Sequence, residues 1–147
     1  MSLLLATDRP LRWLLDTNTV SEPARLQPNP RVLQALLLYQ DELALPATAW
    51  QEMHFGWLLM PEGRPKRHVG DFLQRTVAHI PVLPLDAMAA RQQAELRCQA
   101  QQAGRPMSCA DSEIAAIAVA HSLTLVTRNT RDFQGRPGLR LANWFED

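Results

Sequence analysis

Four acids stand where the chain passes from strand to helix: Asp16, Glu52, Asp111 and Asp132. Asp16 closes the short apolar run that ends Leu14-Leu15. Glu52 falls in the first turn or two of the helix expected after the second apolar run. Asp111 lies three residues past a capping serine, Ser108, and Asp132 follows the run LTLVT after a short loop. Carboxylates brought together raise one another's pKa and leave part of the cluster protonated. A hard divalent cation relieves that repulsion and is held best by oxygen. A few carboxylates with water suit Mg²⁺ or Mn²⁺ better than Zn²⁺, which prefers nitrogen and sulfur. Such an ion activates water and neutralises phosphate oxygens, so the chemistry implied is phosphodiester hydrolysis. Each acid also has a structural reading. Asp16 could cap the turn after it, Asp111 could complete a capping box with Ser108, and Glu52 could favour a helix dipole. Asp132 could form an Asx-turn before a hairpin. Only the joint pattern, with all four at one expected edge, favours a site.

The elements that would position these acids can be read in order. Arg12 to Leu15 is a short apolar strand, and Asn18 to Glu22 can make about one helical turn before Pro23. Asn29 caps a helix with Pro30 at its first position, and Val32, Leu33, Leu36 and Leu37 repeat at helical spacing. Glu42 to Pro46 is the second strand. Thr48 with Gln51 reads as the capping box of the next helix, which stops at Pro61-Glu62-Gly63. A helix over about 66–78 follows, then a third strand from Ile80 to Leu85. Asp86 caps a long helix to about Ala103, where Gly104 suits the turn out of it. Ser108 caps the helix that carries Asp111. Leu123 to Thr127 is strongly β-prone, and Leu139 to Leu141 is a last short strand. Alternating strands and helices imply an α/β fold with a mostly parallel sheet covered on both faces. In such a sheet the strand carboxyl ends and the helix starts share one edge, so the four acids can converge.

Bulk properties narrow the function classes. A chain of 147 residues, 46% apolar, suits one folded domain, expected over 12–147 after an extension at 1–11. Fifteen basic residues balance fifteen acidic ones, so a nucleic-acid site must be a local patch. Cys98 and Cys109 lack metal-type spacing and read as reduced thiols. No apolar stretch approaches the ~20 residues of a membrane span, and the leader makes a poor signal peptide. A cytoplasmic protein without a membrane partner is expected.

The blocks LLDTNTVSEP at 14–23, TAWQEMHFG at 48–56, GRPMSCADSEIAAIA at 104–118 and LVTRNTRDF at 125–133 resemble the four signature blocks of PIN-domain ribonucleases. They are most similar to the VapC-type toxins of type II toxin–antitoxin pairs, in the FitB-like subgroup, and the similarity runs from about Arg12 to Trp144. The resemblance implies a PIN-like α/β/α sandwich with a mostly parallel central sheet. It implies an endoribonuclease dependent on Mg²⁺ or Mn²⁺. The family's acids fall on Asp16, Glu52, Asp111 and Asp132, with Gly56 four residues after Glu52. Asn18, Thr127 and Asn129 match supporting polar positions, and Arg128 and Arg131 are candidates for RNA phosphate. The resemblance also implies a homodimer, a cognate antitoxin and an RNA substrate such as tRNA or rRNA. Trp50 departs from the smaller residue usual before the second acid.

Other placements of these residues are less economical. A phosphoaspartyl phosphatase wants a second Asp two residues after the first, and position 18 is Asn. A receiver domain needs a late lysine, and none follows Lys66. A non-catalytic RNA- or partner-binding module would not need all four acids, and a housekeeping nuclease would need no antitoxin. Arg64, Lys66 and Arg67 could contact an RNA backbone, but a solvated helix start is the simpler reading of each. Of the histidines, only His54, close to Glu52, is a site candidate.

Overall fold

The strand that ends at Asp16 becomes the centre of the sheet. The computed structural model describes residues 9–146. The expected extension at 1–11 therefore lies mostly outside the described residues; within them, Leu11 packs against the core. β1 (Trp13–Leu15) is buried along its whole length, and it lies between β2 (Leu43–Pro46) and β4 (Thr124–Val126). β3 (Val82–Leu83) and β5 (Arg140–Ala142) are the edges. Among the described residues the sheet has five strands in the order β3-β2-β1-β4-β5, and every pairing is parallel.

Side chains on a strand alternate between faces, which sorts the core into two layers. Leu14, Ala44 and Leu125 join a cluster with Ala89, Leu96 and Ile117. Those partners lie on α5 (Ala87–Gln102) and α6 (Cys109–Ala120), which cover one face. Trp13, Leu15 and Val126 point the other way, to Val20, Met53 and Leu73. These come from α1 (Thr17–Ser21), α3 (Ala47–Leu59) and α4 (Arg64–Arg75). α2 (Pro30–Leu38) and the one-turn α7 (Thr130–Phe133) complete an α/β/α sandwich.

Local chemistry explains most element ends. Asn29 accepts hydrogen bonds from Arg31 and Val32 N–H, with Pro30 at the first helical position. Asp86 caps α5 through the Ala89 N–H at 2.9 Å. Gly104, at φ +72°, makes the left-handed turn out of α5 that a side chain would oppose. Three expectations need correction. Thr48 does not cap α3: Pro46 occupies the cap position, and Thr48 Oγ1 instead donates to Glu113 Oε2 at 2.9 Å. β3 spans two residues rather than six, because Pro81 and Pro84 flank it and proline cannot donate to a ladder. α4 starts at Arg64, two residues early, since Pro65 is tolerated in a first turn, and it gives way to a 3₁₀ turn at Val77–His79.

Candidate active site

The order of the strands sets where the site lies. From β1 the chain moves outward to β2 and β3, then returns to place β4 on the other side of β1. The reversal leaves a crevice at the carboxyl ends of β1 and β4, where open parallel sheets collect ligands. Asp16 leaves β1 there, and Thr127 leaves β4.

Asp16 is buried and doubly held. Its Oδ1 accepts the Thr19 N–H at 2.9 Å, capping α1, and its Oδ2 accepts the Thr127 hydroxyl at 2.6 Å. Thr127 Oγ1 accepts in turn from the Asn129 N–H at 3.0 Å. This chain of bonds ties β1 to the loop after β4. The structural reading of Asp16 as a cap is thus correct, and each carboxylate oxygen retains acceptor capacity beyond it. Glu52 reaches in from α3, where the Thr17 hydroxyl donates to its Oε1 at 2.9 Å. Ser108 Oγ accepts the Asp111 N–H at 3.1 Å, which starts α6 and sets Asp111 in its first turn.

Asp16, Glu52 and Asp111 line one cavity of about 220 Å³, together with Thr17, Asn18, Thr127 and Asn129. Asp132 lies beside it. It sits within α7, followed by a parallel strand, so neither an Asx-turn nor a hairpin describes it. The Asn129 side-chain amide donates to its carboxylate. Asp132 lines a second cavity of about 430 Å³, and Asp111 lines both.

Burial, more than any other cause, pushes the Asp111 carboxyl above the usual carboxylate range. The hydrogen bond from Ser108 and the Arg136 charge pull it back, while Asp132 and Asp16 add to the rise. Acids on three separate elements are therefore close enough to repel. Their donor set is oxygen, which suits a hard divalent cation. Among the described residues, no three His, Cys, Asp or Glu side chains enclose an ion by themselves.

The other candidates divide. Arg131 lines the second cavity beside Asp132. Arg128 lines neither; its guanidinium lies 4.5 Å over the Phe145 ring, a cation–π contact. His54 stands apart, its Nδ1 2.8 Å from Trp50 O, and it lines a separate cavity with Trp50 and Trp57. Four contributors escaped the sequence reading. Thr17 fixes Glu52 and Glu113 engages Thr48, while Arg105 and Arg136 line the second cavity. The arginines had a signal in the tripeptide Gly-Arg-Pro, which occurs at 63–65, 104–106 and 135–137; the last two flank the third and fourth acids.

The PIN domain family model matches residues 13–138. The chain is 37% identical over 126 residues to Toxin FitB of Neisseria gonorrhoeae, covering 82% of this chain and 89% of that protein. It is 30% identical to the tRNA(fMet)-specific endonuclease VapC of Shigella flexneri, over 91% of this chain and 98% of the relative. The structure of FitAB bound to an IR36 DNA fragment superposes with a TM-score of 0.84 at 33% identity, covering 92% of this chain and 96% of that one. The chain belongs to the PIN-domain family, alongside the VapC-type toxins.

Proposed function

We propose that this protein is a Mg²⁺- or Mn²⁺-dependent endoribonuclease acting as the toxin of a toxin–antitoxin pair. The observation that carries the reading is the convergence of Asp16, Glu52 and Asp111 on one cavity at the switch point of the sheet, with Asp132 beside it. The names of the relatives, a toxin and a tRNA-specific endonuclease, point the same way and favour tRNA as the substrate class.

Asp16 and Asp111 would hold the cation directly, with Glu52 and Asp132 acting directly or through water. When bound, the cation supplies a water of lowered pKa and neutralises charge at the scissile phosphate. The chain's own residues prepare the place. Thr19 and Thr127 fix the Asp16 carboxylate, Thr17 fixes Glu52, and Ser108 sets the helix that carries Asp111. Asn129 holds Asp132, and Asn18 faces the same cavity, available to a water or a ribose hydroxyl. Arg131, which lines the cavity beside Asp132, would meet RNA phosphate there. The enzyme acts in the cytoplasm as a homodimer, and its antitoxin blocks it by pairing a basic side chain with the acids. A non-catalytic module would have no use for an acid cluster that repels both itself and RNA.

Removal of divalent ions by EDTA tests the reading. Cleavage of a tRNA pool should stop, then return on addition of Mg²⁺ or Mn²⁺. Cleavage that continues in EDTA would rule out this chemistry.

A further inference from the structure

An acid cavity repels the polyanion it is meant to cut, and a chain with no net charge cannot offset that globally. The compensation has to be local. The second cavity is where it lies: Arg105, Arg131 and Arg136 line it together with Ser108, Asp111 and Asp132.

Two of these arginines form a clasp. Arg105 Nη2 donates to Gln134 O at 3.0 Å, and Arg136 donates from Nη1 to Arg105 O at 2.9 Å and from Nη2 to Asp132 O at 3.2 Å. The clasp joins the link before α6 to the turn after α7, the segments that adjoin the helices carrying the third and fourth acids. It accounts for one donor of Arg105 and two of Arg136, out of five on each guanidinium. It does not account for the rest. Arg136 Nε is buried without an acceptor among the described residues. Burial first, and the neighbouring Arg105 charge second, disfavour the Arg136 charge, while Asp132 and Asp111 offset part of that cost.

We infer that this cavity is a phosphate-binding subsite for the RNA backbone, in which Arg105, Arg131 and Arg136 hold a phosphate next to the one positioned at the acids. Asp111 lines both cavities, so the two phosphates lie on either side of its carboxylate. The subsite rests on the ribonuclease reading and adds to it the residues that draw the strand in and set its register. Arginine suits the task because its planar fork pairs two phosphate oxygens at once.

The test is binding of a fluorescently labelled single-stranded RNA to the full chain in EDTA, so that nothing is cut, across a range of salt. Each phosphate contact contributes roughly 0.7 to the slope of log affinity against log salt for a single strand. Arg105→Gln and Arg131→Gln should each lower the slope by about that amount and weaken binding several-fold near 0.1 M salt. Arg105→Lys should restore the slope but not the full affinity. Arg97→Gln, on α5 and outside this cavity, is the control and should change neither. Arg105→Gln and Arg136→Gln are compared only after their unfolding midpoints are measured, because each also loses clasp hydrogen bonds. Unchanged slopes in Arg105→Gln and Arg131→Gln, in a protein that still cleaves RNA with metal, would overturn the subsite while leaving the ribonuclease standing. The same follows if these variants keep RNA binding but lose a protein partner that offers carboxylates. A wild-type chain that binds RNA in this way but never cuts it would overturn the ribonuclease reading and leave the subsite.

Discussion

Asp16 has two duties that substitution can separate. It caps α1, and it receives the Thr127 hydroxyl from the neighbouring strand. Asp16→Ala loses the cap, worth about 1 kcal/mol, and strands a buried hydroxyl at a further cost of about 1–3 kcal/mol. Urea unfolding should therefore show a clear drop for Ala and a smaller one for Asn, whose carbonyl oxygen still accepts the Thr19 N–H; equal stability of Ala and wild type would contradict the geometry. Asp111 yields a prediction of a different kind. Burial raises its folded pKa above the ordinary value of 3.8, so the folded chain binds this proton more tightly than the unfolded chain. The stability linked to it is complete below the unfolded pKa and is lost as pH rises through the folded value. In EDTA, Asp111→Asn should flatten that part of the stability curve and unfold at higher denaturant than wild type at neutral pH. A steeper curve for the Asn variant would contradict the assignment.

At the scale of the elements, α6 depends on its cap. Ser108→Ala removes the acceptor of the Asp111 N–H and should cost about 1 kcal/mol. Cleavage should fall with it at temperatures where the fold persists, since the same turn sets the third acid. Loss of neither would show that packing against α5 alone fixes this helix start. The cap was legible in the sequence, as were the caps at Asn29 and Asp86, because each needs only a side chain and the next few backbone N–H groups. Thr48 was misread for the complementary reason. Its hydroxyl bonds Glu113, 65 positions away, and no local pattern reveals such a partner. The shortness of β3 was written in Pro81 and Pro84, yet an apolar run between prolines still reads as strand until the neighbouring ladder is known.

For the whole molecule, alternating apolar runs and helices dictated a parallel sheet, and the edge at which the acids gather followed from that alone. Strand order did not follow. The reversal that opens the crevice between β1 and β4 depends on which strand pairs with which, and the Asp16–Thr127 bond spans 111 positions of sequence. The basic cavity went unseen for a similar reason: Arg105 and Arg136 are 31 residues apart and meet only when α6 and α7 pack at the end of the sheet. The acidic cavity and the basic cavity share Asp111; under the proposed function, one surface would both repel and attract RNA, and a bound cation would set the balance. That balance rests first on Asp16. The most direct measurement is therefore the rate of tRNA cleavage in Mg²⁺ by wild type and by Asp16→Asn at matched folded concentration. Loss of cleavage by the Asn variant, by a factor of at least about 10² as expected when a group essential to the reaction is removed, is the predicted result; cleavage at the wild-type rate would contradict the assignment of the metal site.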